Sequence, residues 1–249
     1  MKAICVIPAR FASTRFPGKA LAPILGKPMI QWVWERACLI GGLDEVIVAT
    51  DDERILRAVE NFGATAVMTP ADCASGSDRV WSVVEGIDCD IVVNIQGDEP
   101  ALDPVAIEAL LELMKEDPNL EMGTLVSPLT SREEYENPTV VKVVMGRGDR
   151  CLYFSRSPVP HLRDGWGKGQ ELLRHVGVYG FRKEFLGRFT GWPVGKLEAA
   201  EKLEQLRAIE RGVVVRAAVV EWSGTGVDVP SDVPVVEGAL RTAGAHYTQ

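Results

Sequence analysis

The chain of 249 residues lacks the long apolar run that a membrane helix needs. Such a helix takes roughly 20 consecutive apolar residues, and no stretch approaches that length. The first residues, MKAICVIPAR, carry charge too early for a signal peptide, so we expect neither a leader nor a membrane partner. The five cysteines form no CxxC pair and no zinc spacing, and their number is odd. Reduced thiols, and therefore a cytoplasmic protein, are the simplest interpretation.

Two common nucleotide-binding signatures are also missing. Lys27 is followed by Pro28 rather than by Ser or Thr, so the sequence contains no P-loop. Gly224 and Gly226 match the first two glycines of the dinucleotide fingerprint GxGxxG, but Val229 occupies the position of the third glycine. The sequence therefore lacks this fingerprint. Clusters of Lys and Arg are lacking too, and 27 basic against 35 acidic residues give a net charge of −8. This balance argues against nucleic-acid binding.

The composition that remains, 46% hydrophobic and 25% charged, is typical of a globular domain. In the first half, short apolar runs alternate with longer amphipathic ones. The predicted elements are strand 3–7, helix 29–39, strand 45–49, helix 52–62, strand 66–68, helix 77–85, strand 91–95 and helix 103–115. Ser77 or Asp78 is the expected cap of the helix 77–85. This alternation predicts an α/β fold with a mostly parallel, doubly wound sheet.

After about residue 120 the pattern changes to strands separated by irregular segments. The predicted elements here are strands 140–145, 151–155, 176–181 and 213–220, a mobile glycine-rich loop 163–169, and one continuous helix 197–210. Gly212 is expected to end that helix. We therefore predict a single domain over residues 1–249, with a smaller inserted antiparallel portion at about residues 150–195.

The loop after the first strand is the strongest candidate for ligand binding, because open α/β sheets bind ligands beyond the carboxyl ends of their strands. This loop, VIPARFASTRFPGK at residues 6–19, contains small residues, among them Ala9 and Ser13, that let the backbone approach a ligand closely. Its cations are Arg10, Arg15 and Lys19. Backbone N–H groups together with flexible cations suit a triphosphate.

This loop resembles the nucleotide-binding loop of the CMP-sugar-acid synthetases. Further segments match that family in the same order, namely QGDEP at 96–100, YFSR at 153–156, HVGVYGFR at 175–182, LEQLR at 203–207 and GTGVDVP at 224–230. The set covers nearly the whole chain. The resemblance implies a nucleotidyltransferase-like fold, transfer of CMP from CTP to a sugar acid, Mg²⁺ as cofactor, and a cytoplasmic homodimer.

Two aspartates are candidate metal ligands, because Mg²⁺ prefers hard oxygen ligands together with substrate phosphates. Asp98 follows a buried strand, and Asp228 follows a glycine-rich turn. The resemblance implies the same pair as magnesium ligands, with Arg10 and Lys19 as catalytic cations. The nucleotide-binding residues that it implies are Ala9, Arg10, Ser13, Arg15, Lys19, Ser75, Gly76 and Arg79.

Recognition of the sugar acid calls for an arginine fork on its carboxylate, and Arg156 at the end of an apolar strand is the candidate. His175 and Tyr179 are four residues apart, which places them on one face of a strand. The sugar-binding residues that the resemblance implies are Gln96, Arg156, His175, Tyr179, Glu204 and Gln205. The acid that the resemblance implies is 3-deoxy-D-manno-octulosonate (Kdo), with sialic acid and an amino-sugar variant left open.

Several alternatives stand beside this interpretation. Glu204 lies on an apolar side of the predicted helix and needs a partner, which is either the sugar or an arginine, Arg174 or Arg207. A catalytically silent relative that only binds nucleotide is a second functional hypothesis, and an NAD-dependent oxidoreductase, which lacks its fingerprint, is a third. Pro234 departs from the family pattern and is expected to disrupt the start of the last helix.

Overall fold

The computed structural model describes residues 1–12, 15–222 and 224–246. The strands, in chain order, are β1 (Ala3–Ala9), β2 (Pro23–Ile24), β3 (Lys27–Pro28), β4 (Glu45–Thr50), β5 (Thr65–Met68), β6 (Ile91–Asn94), β7 (Met122–Pro128), β8 (Lys142–Met145), β9 (Cys151–Ser155), β10 (Leu173–Arg182) and β11 (Val215–Val219). The α-helices are α1 (Met29–Ala37), α2 (Glu53–Asn61), α3 (Gly76–Val84), α4 (Pro104–Glu116), α5 (Arg132–Glu136), α6 (Lys183–Thr190), α7 (Lys196–Glu201), α8 (Leu206–Glu210) and α9 (Val233–His246). The predicted α/β class is confirmed.

The chain divides into two compact units, one of residues 1–108 with 223–249 and one of residues 109–222. The predicted single domain, with an inserted portion at about 150–195, stays a prediction. Within the described part of the chain, no helix combines the length and the apolar character needed to cross a bilayer.

The first unit is built on a parallel sheet in which β1 lies between β6 and β4, and β5 pairs with β4. The first five residues of β1 and the aliphatic residues of β6 are fully buried. Continuous apolar runs of this kind form central parallel strands, which are covered on both faces. Because β1 and β6 are adjacent and parallel, the segments that follow them emerge at the same edge of the sheet.

A second core cluster in this unit joins the β2–β3 hairpin, α1 and α9. Its buried members include Ile24, Met29, Val227 and Val236. Since Val227 is anchored there, the neighbouring Asp228 is held at a defined place. Pro234 lies in the first turn of α9, where the missing N–H of proline has no helical acceptor to lose. The expectation that it disrupts the start of this helix is therefore wrong.

The second unit has β7 at its centre, a strand that the sequence patterns did not predict. β11 pairs with β7 in parallel and β10 pairs with it antiparallel, while β8 runs antiparallel to both β10 and β9. This is the smaller antiparallel portion that the change of pattern after residue 120 indicates.

The continuous helix predicted over 197–210 is wrong, because α7 ends at Glu201 and α8 begins at Leu206. Lys202 adopts a left-handed backbone conformation with φ 57° and ψ 46°, which ends α7. In one helix, Glu198 and Arg207 would be separated by roughly 13 Å along the axis. The turn instead brings them into a buried ion pair of 2.6 Å. Helical periodicity carries no signal for a lysine at positive φ.

Candidate active site

A cavity of about 220 Å³ opens at the carboxyl ends of β1 and β6 in the first unit. The residues that line it are Pro8, Ala9, Arg10, Arg15, Lys19, Ala20, Met29, Gln96, Gly97 and Asp98. The structure therefore brings together four of the predicted nucleotide-binding residues and one predicted metal ligand. Gln96, which was predicted to bind the sugar, lines the same cavity. Ser13 lies outside the described residues.

Gly97 allows the two loops at this edge to approach each other. A Cβ atom on it would lie 2.7 Å from the carbonyl oxygen of Pro8, a distance that real side chains do not tolerate. Gly97 is not among the predicted site residues, although a glycine shortly after a buried strand is a signal for close backbone approach. The cavity floor therefore depends on the absence of a side chain here.

The two predicted metal ligands converge on one cation. Lys19 Nζ lies 2.6 Å from Asp98 Oδ2 and 3.9 Å from Asp228 Oδ1. It also donates to the carbonyl of Val227 at 2.8 Å, so this nearly buried ammonium ties the loops together. Arg15 forms a two-point contact with Asp228, at 2.9 and 3.1 Å. Two carboxylates and two cations thus face one another at the mouth of the cavity.

The donor set fits a magnesium ion that is shared with a substrate. Asp98 and Asp228 are partly exposed, and each offers hard oxygen atoms near the same point. Among the described residues there is no group of three or more His, Cys, Asp or Glu side chains that could hold a metal by itself. Mg²⁺ commonly binds through one or two carboxylates and completes its shell with substrate phosphates and water. The arrangement suits a metal that is shared with substrate rather than one that is coordinated by protein ligands alone.

A second cavity of about 200 Å³ shares Pro8, Arg10 and Gln96 with the first. Its other lining residues are Cys73, Ala74, Ser75, Gly76 and Arg79, so the three residues predicted near the base lie here. The adjoining cavities give the site two ends, one with cations and carboxylates and one with small residues. An elongated ligand with a charged end matches this arrangement.

Two details at this second end differ from the sequence interpretation. Ser75, rather than Ser77 or Asp78, is the N-cap of α3, because its hydroxyl accepts from the backbone N–H of Asp78. Arg79 is nearly buried and donates to Asp51 at 2.8 Å. Its guanidinium therefore supports the cavity wall, and direct contact with a nucleotide base stays a prediction.

In the second unit, Arg156 is held by backbone carbonyls. Its Nε donates to Glu201 O at 2.8 Å and its Nη1 donates to Pro138 O at 3.1 Å. The fully buried Lys142, which sequence analysis missed, donates to the carbonyls of Asn137, Val140 and Arg156 at 2.6–2.8 Å. Burial lowers the pKa of this lysine, and the neighbouring charge of Arg156 lowers it further. Its position inside the apolar run VVKVVM, at residues 140–145, is the sequence feature that could have predicted a buried lysine.

His175 and Tyr179 are in ring contact, with centroids 5.3 Å apart. In a regular strand, residues four apart are separated by roughly 13 Å, so sharing a face would not bring them together. The pairing of β10 with β7 shifts between Val176 and Tyr179, and His175 and Tyr179 lie opposite Val126 and Thr124. The bulge brings the two rings together, and the sequence spacing alone does not show it.

Gln205 and Glu204 lie in the turn between α7 and α8. The hydroxyl of Tyr179 donates to Gln205 Oε1 at 3.0 Å, and Gln205 is 1% exposed. Burial raises the pKa of Tyr179, and the negative charge of Glu204 raises it further. Both arginines proposed as partners of Glu204 form other ion pairs, Arg174 with Glu134 and Arg207 with Glu198.

Comparison with known proteins identifies the family of this chain. A model described as Cytidylyltransferase matches residues 4–217. A 3-deoxy-manno-octulosonate cytidylyltransferase of Syntrophotalea carbinolica is 49% identical, over 97% of this chain and 99% of that protein. An 8-amino-3,8-dideoxy-manno-octulosonate cytidylyltransferase of Shewanella frigidimarina is 46% identical, over 98% and 99%. A solved CMP:2-keto-3-deoxy-manno-octonic acid synthetase complexed with CTP has a TM-score of 0.93 at 43% identity, covering 98% of this chain and 100% of that one.

The fold and the charged cleft are those of a nucleotidyltransferase. The chain belongs to the cytidylyltransferase family, and the predicted resemblance to the CMP-sugar-acid synthetases is confirmed.

Proposed function

We propose that this enzyme transfers CMP from CTP to the anomeric hydroxyl of Kdo and releases pyrophosphate. The observation that carries the proposal is the convergence of Asp98 and Asp228 on Lys19 beside a cavity at the sheet edge. Relatives that span nearly the whole chain at up to 49% identity are named for this acid, and the solved relative is a complex with CTP. The CMP-Kdo formed would serve lipopolysaccharide synthesis.

The residues of the first unit act on the triphosphate. The anomeric hydroxyl oxygen of the acid attacks the α-phosphorus of CTP in line, a new O–P bond forms, the bond to the pyrophosphate oxygen breaks, and the hydroxyl proton passes to solvent. Arg10, Arg15 and Lys19 neutralise the charge that grows on the leaving group. Such transfers need positioning and charge stabilisation more than covalent help. The proposed nucleotide contacts of Ser75, Gly76 and Arg79 position the base end.

Asp98 and Asp228 would hold magnesium, whose chemistry when bound is to polarise the α-phosphate and to lower the pKa of a coordinated hydroxyl. The ammonium of Lys19 balances the charge of the two carboxylates. When CTP enters, we expect Lys19 and Arg15 to turn from the aspartates to phosphate oxygens. The pair of carboxylates is then available to the cation.

The residues of the second unit would bind the acid. Arg156 is proposed to hold its carboxylate. The remaining sugar-binding residues of this proposal are His175, Tyr179, Glu204 and Gln205. We also propose a cytoplasmic homodimer. The five free cysteines support the first part, and the dimer rests on the family resemblance alone.

The proposal is tested by measuring pyrophosphate release from CTP, Mg²⁺ and Kdo. Parallel reactions replace Kdo by 8-amino-Kdo or sialic acid, and CTP by UTP. Release that requires both CTP and Kdo and stops with a chelator supports the reaction and the metal together. Release with 8-amino-Kdo but not Kdo keeps the mechanism and changes the acid, an alternative that the Shewanella frigidimarina relative makes specific. Folded protein that binds CTP but releases nothing with any acid contradicts the proposal and favours a nucleotide sensor.

A further inference from the structure

Thr124, at the centre of β7, contacts the imidazole of His175 in the second unit. The side chain of Thr124 is fully buried, and its Oγ1 lies 2.9 Å from His175 Nε2. The same oxygen lies 2.8 Å from the carbonyl oxygen of Val178. Both distances are those of hydrogen bonds, and each needs a proton between its two heavy atoms.

The proton count decides the direction of both bonds. A carbonyl oxygen cannot donate, so the single hydroxyl proton of Thr124 is committed to Val178 O. The proton between Thr124 and His175 must then come from the ring, which makes Nε2 a donor. Burial lowers the pKa of His175 to about 3, so the ring is neutral near pH 7 and carries no second proton. Its Nδ1 is left with a lone pair.

The bulge in β10 explains why Thr124 donates to a carbonyl at all. The register of β10 on β7 shifts between Val176 and Tyr179, and the carbonyl of Val178 falls inside this shift. A buried carbonyl oxygen requires a hydrogen-bond donor. Thr124 supplies it, and the bulge therefore fixes the orientation of the hydroxyl as well as the contact between the rings.

The surroundings of His175 are suited to a ligand. The rings of Phe154 and Tyr179 pack against it, with centroids 5.1 and 5.3 Å away, and hold its plane. Nδ1 has no hydrogen-bond partner among the residues that the structure describes. Tyr179 also binds Gln205 Oε1, and the buried amide nitrogen Nε2 of Gln205 has no partner in the same described part of the chain. An acceptor on His175 and a donor on Gln205 are thus both left for a bound molecule.

We propose that Thr124 is a positioning residue that fixes His175 as the Nε2–H tautomer, so that Nδ1 accepts a hydrogen bond from a hydroxyl of the bound acid. The hydrogen bond between Nδ1 and the acid, which is the ligand half of this inference, rests on the proposed function. The assignment of the tautomer does not. A hydroxyl suits the site because it can donate to Nδ1 and accept from an amide such as that of Gln205. An ether or keto oxygen in the same place would face the lone pair of Nδ1 and would have no proton to donate to it.

The tautomer is measured by ¹⁵N NMR of the histidine rings in the protein without ligands. The chain has three histidines, and His175→Gln assigns the signal of interest. We expect the Nε2–H pattern in the native protein and in Thr124→Ser, which keeps the hydroxyl. In Thr124→Val, which keeps the shape and removes the hydroxyl, the Nδ1–H form should appear. A native protein with the Nδ1–H pattern, or a Thr124→Val variant with an unchanged ring, would overturn the inference.

Steady-state kinetics test the ligand half. Loss of one oriented hydrogen bond predicts that Thr124→Val raises the KM for Kdo roughly five- to tenfold. The KM for CTP should stay unchanged, and Thr124→Ser should restore the KM for Kdo. Equal changes in both KM values would indicate a merely structural role and contradict the proposal. Absence of any Kdo-dependent release from the native protein would instead overturn the proposed function, while the NMR result would still decide the tautomer.

Discussion

Lys19 lies within hydrogen-bonding distance of Asp98, with 2.6 Å between Nζ and Oδ2, and the side chain of the lysine is only 14% exposed. A contact of this kind combines a charge attraction with a hydrogen bond, and it is stronger than an exposed ion pair. It places a cation where two carboxylates converge. The site is therefore assembled by the fold of the first unit itself.

Replacing Asp98 by Asn should reduce turnover about a hundredfold or more, with only a modest loss of CTP affinity. The amide keeps the size of the side chain but removes the charge that a divalent cation needs. Pyrophosphate release and CTP titration measure the two effects separately. Asp88→Asn, at an exposed carboxylate outside both cavities, is the matched control. Near-normal turnover of the Asp98 variant would exclude its role as a metal ligand.

Gly97→Ala should destabilise the protein by roughly 1–3 kcal/mol, the usual effect of overpacking. The added Cβ would lie 2.7 Å from Pro8 O, and the backbone must move to relieve the contact. Because both residues line the first cavity, CTP affinity should fall as well. Urea denaturation measures the free energy of unfolding. At Gly86 a Cβ meets nothing within 4 Å, so Gly86→Ala should change neither quantity appreciably. Equal stability of the two variants would contradict this account of the cavity floor.

Lys142→Met should lower the free energy of unfolding and raise the KM for the acid. The ammonium satisfies three backbone carbonyls, and each buried acceptor left without a donor costs roughly 1–3 kcal/mol. One of these carbonyls belongs to Arg156, so the backbone of the residue proposed to hold the acid loses one of its anchors. The same substitution at the exposed Lys168 should leave both measurements unchanged. A Lys142 variant with native stability would show that these bonds contribute nothing.

The buried imidazole of His175 predicts a pH dependence of folding stability. Its pKa is lowered from 6.5 to about 3 in the folded protein, whereas the unfolded chain binds a proton below about 6.5. The unfolded state therefore holds more protons between these values, and stability falls as the pH is lowered from about 6.5 towards 3. The contribution is about half of 1.4 kcal/mol per pH unit at pH 6.5 and approaches about 1.4 kcal/mol per pH unit near pH 5, where the unfolded histidine is fully protonated.

Denaturation between pH 6.5 and 5 measures this slope. His175→Gln should reduce the slope by that amount, while His161→Gln, at an exposed histidine, should retain it. An identical slope in the native protein and in His175→Gln would show that the ring is protonated in the folded state or titrates alike in both states.

Much of the first unit could be predicted from sequence alone. β1, β4 and β6 each contain a run of apolar residues, and α2 begins after Asp52, whose side chain accepts from the N–H of Arg54. Signals of this kind are local, because a central parallel strand must be apolar throughout and a helix needs a cap. The loop with Arg10 and Lys19 follows the first such strand. The rule that ligands bind at the carboxyl ends of strands then locates the cavity.

The second unit was predicted less well, because its decisive features depend on contacts between distant segments. The left-handed Lys202 ends a helix that periodicity extends, and the ion pair of Glu198 with Arg207 exists only because of that turn. The carbonyls that satisfy Lys142 come from separate segments of the chain. No local pattern specifies which acceptors a buried charge will find.

The sequence by itself determined the α/β class, the position of the charged loop after β1 and the family, since each depends on residue types in a fixed order. That Asp98 and Asp228 bind a metal stays a prediction. The tertiary structure alone decided that Asp98 and Asp228 share one ammonium, that Arg79 supports a wall through Asp51, and that a bulge joins His175 to Tyr179. The reason is physical. A hydrogen bond or an ion pair depends on distances of a few ångströms between residues far apart in the chain, and only the packed fold sets those distances.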